Sequence, residues 1–392
     1  MRIAILTSGI LPVPAVQGGA VENLIDLYLE YNNRHRIHYI TIYSIWHSEA
    51  VNHSAQASEF NHYQYIKQDG VCAKIKKYFY RKRHQKEYYH YGIEYFFEQA
   101  LKRIRKSHYD LIIVENRPGF ILKLKQRTQT PCVLHLHNDF LCIDTPKSKE
   151  LYLGYREIIC VSDYIKYRVQ DIAPTTDKKC ITVYNAIDIL KFKNASPAKR
   201  EDFGLSKNDF ILVFSGRIRK EKGILQLILA LNKLHEYPNI KLLVVGANAY
   251  EKDRYKTSLM KKIEDESQSI KNSIIFTGFI NYDNIPSLLK MADVAIVPSM
   301  WEEPFGLTVV EAMAAGLPLI TTRSGGIPEI CEGVATIVQR DNIVDDLADA
   351  ILDLYNHPEK RKEMSKASLE RSRLFDKETY ARNFFAALED VK

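Results

Sequence analysis

Two glutamates and a glycine form the clearest chemical pattern in the chain. Glu303 and Glu311 are separated by seven residues, and Gly306 lies between them, shortly after the apolar run 293–297. A helix that begins at Gly306 would turn its free backbone N–H groups toward the end of the preceding strand, where a phosphate can approach closely. Glu311, more than one turn into that helix, could accept two hydrogen bonds from a vicinal diol such as ribose. Trp, Glu, Pro and Gly together after a strand are an unusual composition for an ordinary surface loop, which favours a binding site here.

Two cations make a second candidate cluster. Arg217 directly follows Gly216 at the end of the apolar run 210–215, and Lys222 comes five residues later. Cations so placed across a strand-to-helix turn could close on one diphosphate from two sides. They would also stabilise the negative charge that develops on a departing nucleoside diphosphate.

The first half of the chain contributes two glycines and two histidines. Gly18 and Gly19 open a helical pattern, which predicts another anion-accessible helix start. The pattern is not the Gly-x-Gly-x-x-Gly of dinucleotide-dependent dehydrogenases. His135 and His137 share one face of a predicted strand, and His137 lies at its carboxyl end, where ligands of open α/β sheets bind. No third ligand stands at a suitable spacing, so a zinc site is not expected.

The segment 298–318 resembles the Glu-x7-Glu signature of retaining glycosyltransferases of the GT-B fold, and it most resembles glycosyltransferase family 4. The segment 216–223 is similar to the Gly-Arg-x-x-x-x-Lys-Gly element of that family. The likeness extends over nearly the whole chain. It implies an α/β protein of the GT-B fold, with two Rossmann-like, doubly wound parallel-sheet domains facing a central cleft.

The resemblance also implies the roles of the motif residues. The donor would be a nucleoside diphosphate sugar, with Glu311 on its ribose, Glu303 on its sugar and the amides of Gly306 and Leu307 on its diphosphate. No metal cofactor is expected, because the cations and helix starts would take its place. The implied catalytic residues are His137, Glu303, Arg217 and Lys222. The implied donor-binding residues are Gly18, Gly19, Gly216, Arg217, Lys222, Glu303, Phe305, Gly306, Leu307 and Glu311.

Short apolar runs that alternate with longer helical patterns would position these residues. Runs such as 241–245 are apolar without strict alternation, which is typical of strands covered on both faces. The alternation predicts doubly wound α/β architecture. The predicted strands are 2–7, 38–43, 110–114, 132–136 and 157–161 in the first half, and 210–215, 241–245, 273–276, 293–297 and 318–320 in the second.

A polar, proline-containing stretch near 190–208 divides the chain into two predicted domains. The first spans 1–190 on the acceptor side, and the second, which binds the donor, spans 205–372. A last helix, about 374–392, could pack back on the first domain. With 392 residues, 46% of them hydrophobic, the chain has the composition of ordinary globular domains. No apolar run approaches the roughly 18–20 residues of a membrane helix, so a cytoplasmic location is expected.

The positive charge is confined to the first half. Residues 1–190 hold 26 Lys and Arg against 19 Asp and Glu, a net charge of +7, and the rest holds 29 of each. Seven cations fall between Lys74 and Lys86, and aromatic side chains are interleaved through the segment 72–97. Such a segment suits an anionic membrane surface or a lipid-pyrophosphate acceptor, whereas a solvated helix with an aromatic core face is the plainer alternative. The candidate acceptor-side or membrane-side residues are Lys74, Lys76, Lys77, Arg81, Lys82 and Arg83.

Together these patterns predict a retaining glycosyltransferase, of hexosyl or related type, that acts on a glycan or lipid-linked acceptor. Envelope polysaccharide, lipopolysaccharide or glycolipid synthesis is the expected setting, at the inner face of the cell membrane. A nucleotide-sugar epimerase of the same fold is the nearest alternative. A polyanion-binding or nucleic-acid-binding protein would explain the basic segment, but not the glutamates, so nucleic acid is not an expected partner.

Overall fold

The computed structural model describes residues 1–55, 59–83, 91–174, 179–246 and 258–389. The chain forms two compact units. The first comprises Met1–Asn185 and Lys377–Lys392, and the second comprises Ala186–Asp376. Each unit is built on one parallel sheet, as the alternating pattern predicts.

The first unit contains a seven-stranded sheet in the order β3-β2-β1-β4-β5-β6-β7, and every neighbouring pair is parallel. Strands β4, β5 and β6 are buried along their whole length, which explains their unbroken apolar sequences. The strands are β1 Arg2–Leu6, β2 Tyr39–Ile45, β3 Asn61–Ile66, β4 Leu111–Glu115, β5 Cys132–Leu136, β6 Glu157–Cys160 and β7 Cys180–Thr182. The first seven helices are α1 Ala20–His35, α2 Ser48–Ser54, α3 Val71–Arg83, α4 Tyr91–Ile104, α5 Ile121–Arg127, α6 Ser148–Gly154 and α7 Asp163–Gln170.

The second unit contains a six-stranded parallel sheet in the order β10-β9-β8-β11-β12-β13. Its strands are β8 Phe210–Ser215, β9 Ile240–Val245, β10 Ile274–Phe276, β11 Val294–Val297, β12 Leu319–Thr322 and β13 Thr336–Val338. Its helices are α8 Ile189–Lys193, α9 Ile224–Lys233, α10 Ser258–Glu266, α11 Ile285–Met291, α12 Leu307–Ala314, α13 Ile327–Cys331, α14 Ile343–Asn356 and α15 Pro358–Ser372. Short 3-10 turns occur at Pro118–Phe120, Arg200–Phe203, Lys220–Lys222, Gln268–Ser273, Tyr282–Asn284 and Arg373–Phe375.

The last helix, α16 at Lys377–Ala387, belongs to the first unit and packs on α1. Phe384 stacks on Tyr28 with ring centroids 4.2 Å apart and an interplanar angle of 6°. An ion pair between Arg34 and Glu378 joins the same two helices. The aromatic packing stabilises the contact between α16 and α1 more than this exposed ion pair does.

The amino-terminal segment of the first unit ends at Asn185, whereas the sequence places the limit of the first domain at 190. The difference follows from α8. Asp188 caps this helix by accepting from the amide of Lys191, and Ile189 and Phe192 are buried within the second unit. Among the described helices, none is both long and apolar enough to cross a membrane.

Candidate active site

The Lys222 ammonium and the Glu303 carboxylate meet in the loops that follow β8 and β11. Their nearest atoms, Lys222 Nζ and Glu303 Oε1, are 2.5 Å apart, and the Ser299 hydroxyl donates to the same oxygen over 2.9 Å. The ammonium also lies 5.7 Å from the centroid of the Trp301 ring. Two residues that the sequence assigns to one site are therefore in direct contact.

Glycines fix the backbone around this pair. Gly223 has a φ of 72°, and a Cβ at this position would lie 1.8 Å from the carbonyl oxygen of Pro298. Gly325 has a φ of 53°, and its Cβ would meet the carbonyl of Glu303 at 2.2 Å. The amide of Gly326 donates to that carbonyl over 2.8 Å. Larger residues at these turns would push the loops apart and displace the ion pair.

Helix α12 begins at Leu307, and Gly306 precedes it at the N-cap position. Gly306 has a φ of 124°, no side chain among the described residues caps the helix, and its first turn holds no acidic residue. Phe305 is 3% exposed, and its ring packs on that of Phe375 with centroids 5.8 Å apart. Any contact of Phe305 with a donor would therefore come from its backbone. The amides of Val309 and Val310 donate to the Gly306 carbonyl, so those of Leu307 and Thr308 are the ones that an anion could approach at this helix start.

Glu311 lies on α12 one turn beyond this start, and it is 6% exposed. Burial raises the pKa of its carboxyl to about 7, against a hydrogen bond from the Tyr282 hydroxyl that acts to lower it. The group thus changes charge near neutral pH. Sequence reasoning missed Tyr282 because it stands 29 positions before Glu311 with no motif of its own.

Arg217 is not drawn into this cluster. Its side chain is exposed, and no ion pair or hydrogen bond of the side chain is found within the described part of the chain. Gly216 before it has a φ of 153°, and Gly246 packs so closely that a Cβ there would lie 2.0 Å from the carbonyl oxygen of Gly216. Of the two cations of the predicted clamp, Lys222 is paired with Glu303, and Arg217 has no charged partner in the described part of the chain.

In the first unit, Glu115 holds both histidines. Its carboxylate accepts hydrogen bonds from the Tyr28 hydroxyl at 2.9 Å, from His135 Nδ1 at 3.2 Å and from His137 Nε2 at 2.9 Å. Glu115 ends β4 and is in register with His135 on β5. The sequence pointed to His137, and the structure adds the buried carboxylate behind it.

The charge of Glu115 determines which nitrogen of His137 carries a proton. Burial opposes ionisation of Glu115, but the charge of His135 and the bonds from both histidines outweigh it and hold its pKa at about 2. Burial and the nearby His135 lower the pKa of His137 to about 4. A neutral His137 that donates from Nε2 leaves Nδ1 as an acceptor, and Nδ1 has no partner among the described residues. This nitrogen can accept a hydrogen bond from a hydroxyl group.

The same three residues could also meet a metal ion. Glu115, His135 and His137 offer ligand atoms that lie within 4.8 Å of one another. Glu115 is the third ligand that sequence spacing did not provide. The carboxylate already accepts three hydrogen bonds, which account for the short contacts of the cluster, whereas His135 Nε2 and His137 Nδ1 have no partner among the described residues.

The helix start at the glycine pair of the first unit is less accessible to an anion than the sequence predicts. Gly18 and Gly19 have φ values of 72° and 104°, and Gly19 stands at the start of α1. The Glu22 carboxylate folds back here, since a Cβ on Gly19 would lie 2.3 Å from Glu22 Oε2. The Ser8 hydroxyl donates to Glu22 over 3.0 Å. This helix start is therefore covered by a carboxylate of its own, and an anion could approach only if Glu22 moved.

Helix α3 presents apolar side chains to solvent. We call Val71, Ile75, Tyr78 and Phe79 the α3 stripe; they are 75%, 53%, 54% and 62% exposed. Their spacing places them on one helical face. The exposed cations on this helix are Lys74, Lys76, Arg81 and Lys82. Lys77 instead turns inward, where its ammonium donates to the carbonyl of Gln68 over 2.8 Å. The Arg83 side chain and residues 84–90, which belong to the predicted basic segment, lie outside the described residues.

Comparisons with known proteins agree with this architecture. The family described as Glycosyltransferase Family 4 matches residues 23–190, and the family described as Glycosyl transferases group 1 matches residues 195–371. The chain is similar to spore coat protein SA of Bacillus subtilis, with 28% identity over 383 residues that cover 94% of this chain and 93% of that protein. It is also similar to a lipopolysaccharide 1,2-N-acetylglucosaminetransferase of Salmonella typhimurium, with 29% identity over 63% of this chain and 65% of that enzyme. Among solved structures, Anabaena HepE in complex with UDP matches with a TM-score of 0.74 and 21% identity, covering 100% of both chains.

Proposed function

The chain belongs to the glycosyltransferases of the GT-B fold and the family 4 kind, and we propose that it transfers a sugar from a nucleoside diphosphate sugar, with retention of configuration, to a hydroxyl group of a glycan or lipid-linked acceptor. Helix α12 carries the proposal, because it combines an open N-terminus at Gly306 with a buried acid at Glu311. Four residues of helix span roughly 6 Å, which suits a diphosphate at one end and a ribose diol at the other. A HepE structure with UDP-glucose and the lipopolysaccharide N-acetylglucosaminetransferase support this donor class and an envelope glycan as acceptor.

The proposed chemistry needs no metal. Lys222 would leave Glu303 for the donor diphosphate and stabilise the charge that develops as the sugar departs. Glu303, released from the ammonium, would accept a hydrogen bond from a hydroxyl of the donor sugar. Arg217, exposed and without an ion pair in the described part of the chain, would join Lys222 on the diphosphate. The Nδ1 atom of His137 would accept a hydrogen bond from a hydroxyl group of the sugar.

One assay distinguishes this proposal from the epimerase alternative. A panel of UDP and GDP sugars is first screened for a rise in melting temperature, since a ligand that binds only the folded chain stabilises it. The sugar that binds is then incubated with and without candidate acceptor glycans. A transferase releases nucleoside diphosphate in step with a glycosylated product whose anomeric configuration matches the donor. Conversion of the nucleotide sugar into its epimer without acceptor would instead identify an epimerase.

We also propose that the first unit works at an anionic membrane surface. The α3 stripe exposes two aromatic and two aliphatic side chains on one face, with four exposed cations on the same helix. Apolar side chains that enter the headgroup region, together with cations that meet anionic lipids, are what hold an interfacial helix in place. A lipid-linked acceptor would then lie in the same plane as the enzyme.

A further inference from the structure

The two oxygens of the Glu115 carboxylate face different donors. The Nδ1 atom of His135 lies 3.2 Å from Oε1 and 3.1 Å from Oε2, so it does not distinguish between them. His137 Nε2 lies 2.9 Å from Oε2, whereas the Tyr28 hydroxyl donates to Oε1 over 2.9 Å. Among the described residues, Tyr28 is therefore the one side chain that selects Oε1, and it leaves Oε2 to His137.

The carboxylate and its donors lie inside the first unit. Tyr28, Glu115 and His135 are fully buried. An ionised carboxylate that loses a donor in such surroundings is not compensated by bulk water, so each hydrogen bond to Glu115 counts for more than it would at the surface. The backbone of His137 is fixed separately, because its amide donates to the side-chain oxygen of Asn116 over 3.1 Å. The direction of the imidazole therefore depends on where Oε2 lies.

The last helix of the chain fixes the ring of Tyr28. Phe384 of α16 stacks on this ring at 4.2 Å, and its own ring lies 5.1 Å from that of His135. Phe385 packs edge to face against Tyr28 at 6.1 Å. A buried ring between such neighbours has little freedom to change rotamer, so its hydroxyl keeps one direction. Helix α16 thus supports the His137 site from the far end of the sequence.

We propose that Tyr28 is a positioning residue of the His137 site. Its hydroxyl fixes the rotation of the Glu115 carboxylate, so that Oε2 holds the Nε2–H of His137 and Nδ1 stays available to a sugar hydroxyl. The inference rests on the proposed role of His137. Without the Tyr28 hydroxyl, Oε1 would keep only the bond that it shares with Oε2, and the carboxylate could turn. The imidazole would then lose its fixed partner and could rotate or change tautomer.

The test compares two tyrosine-to-phenylalanine changes in the same aromatic cluster. Tyr28→Phe deletes the hydroxyl that donates to Glu115 and keeps the ring. Tyr380→Phe, on α16, deletes a buried hydroxyl that has no hydrogen-bond partner among the described residues. The two rings lie 6.4 Å apart, so both changes are made in the same surroundings. Circular dichroism verifies that each variant is folded.

Transfer is measured with the UDP or GDP sugar that the melting-temperature panel selects, and the imidazole nitrogens are observed by NMR in the protein without ligand. We expect Tyr28→Phe to lower kcat/KM about tenfold, the effect of one hydrogen bond to a charged group. The Nδ1 and Nε2 shifts of His137 should move toward each other as the two tautomers mix. Tyr380→Phe should change neither quantity. In the background of Glu115→Gln, Tyr28→Phe should have a much smaller effect, because the carboxylate through which it acts is gone.

Two results would overturn the inference. One is that Tyr28→Phe has the activity and the imidazole shifts of wild-type protein. The other is an equal loss of activity in Tyr28→Phe and Tyr380→Phe, which would show that the aromatic cluster has only a structural role.

His137→Gln separates the inference from the role on which it rests. If this variant transfers sugar as fast as wild-type protein, the proposed role of His137 fails, and the inference fails with it. If His137→Gln is inactive while Tyr28→Phe behaves as wild-type protein, the role of His137 stands and only the inference fails.

Discussion

Lys222 and Glu303, 81 residues apart in sequence, neutralise each other at the carboxyl end of the second sheet. The two side chains are 24% and 9% exposed, so the ion pair is largely shielded from water. A donor diphosphate would compete with Glu303 for the ammonium. Binding of the diphosphate and release of Glu303 toward the donor sugar are then parts of one exchange.

This exchange predicts that Lys222→Gln is impaired in two measurable ways. Transfer activity should fall steeply, because the diphosphate loses a cation. The free energy of unfolding in urea should fall by about 1–3 kcal/mol, because a shielded carboxylate is left without its charged partner. The double variant Lys222→Gln/Glu303→Gln should recover stability but not activity. Lys220→Gln, an exposed neighbour, is the matched control, and equal stability of Lys222→Gln and that control would contradict the ion-pair argument.

The buried acid Glu311 predicts opposite pH responses for stability and binding. Its pKa is about 7 in the folded chain against a usual value of 4.5, so the folded state favours the neutral form. A raised carboxyl pKa makes folding less favourable as pH rises from about 4.5 through 7, and the cost is then constant, at about 3 kcal/mol. Glu311→Gln should therefore raise the melting temperature at pH 8 and change it little at pH 4.5.

The affinity for the donor nucleotide should change with pH in the direction opposite to the stability. The ionised carboxylate accepts hydrogen bonds from both ribose hydroxyls, whereas the neutral acid accepts fewer, so affinity for the nucleotide should decline below about pH 7. Glu311→Gln should bind about tenfold to a hundredfold more weakly at pH 8 and lose the pH dependence. Calorimetry at several pH values measures this, and a wild-type affinity that is flat from pH 5.5 to 8.5 would be inconsistent with a ribose contact.

Glu115→Gln tests whether the buried carboxylate sets the tautomer of His137. A glutamine can donate as well as accept, so it would allow the proton to move to Nδ1 and remove the acceptor. We expect a loss of transfer activity of at least tenfold while the chain remains folded. Nitrogen chemical shifts of the imidazole rings should report the change of tautomer. Glu98→Gln, which removes a carboxylate that pairs with Lys123 in the same unit, should change neither the shifts nor the activity.

The Glu115 cluster also predicts how the protein should respond to a metal chelator. If the hydrogen bonds to the Glu115 carboxylate alone hold His135 and His137 in place, the purified chain should contain no stoichiometric metal, and EDTA should leave both activity and melting temperature unchanged. Elemental analysis provides the first measurement. A rate that EDTA abolishes and manganese or zinc restores would show that an ion belongs to this cluster or to the donor site.

The sequence predicts the strands whose burial imposes an apolar pattern. It does not predict contacts between side chains that are distant in sequence. Strands β1, β8 and β9 are apolar runs covered on both faces, and their positions were predicted to within a residue or two. Strand β3 was missed because its sequence, NHYQYI, is largely polar and lies at a sheet edge. Strands β7 and β13 were also missed, because each has three residues and one of them is a threonine, whereas the equally short β10 was predicted because its three residues, IIF, are all apolar.

The site residues divide in the same way. Glu303 and Glu311 stand in a motif, and Lys222 follows a strand end, so residue type and spacing suffice to nominate them. Glu115 could have been found, because it closes a buried strand and parallel neighbours end at one edge of the sheet. No pattern could reveal that the Tyr282 hydroxyl acts on the pKa of Glu311, since that depends on how a loop, α8 and α12 pack.

The α3 stripe predicts binding to anionic membranes by two separable contributions. Wild-type protein should co-sediment with vesicles that contain phosphatidylglycerol at low salt and dissociate as salt screens the cations. Arg81→Glu/Lys82→Glu should weaken binding by at least tenfold, since each basic residue near such a surface contributes about 1 kcal/mol. Ile75→Ser/Phe79→Ser should weaken it by removing exposed apolar area, and this loss should persist at a salt concentration where the charge effect has faded.

The control Lys102→Glu/Lys106→Glu makes the same charge change at exposed positions on and just after α4 of the same unit, and should retain most of the binding. All variants should still turn over donor with a water-soluble acceptor, because none of them alters α12 or the Lys222–Glu303 pair. Failure of wild-type protein to bind these vesicles at low salt would leave α3 as a solvated helix, and retention of nucleic acid instead would identify a polyanion site.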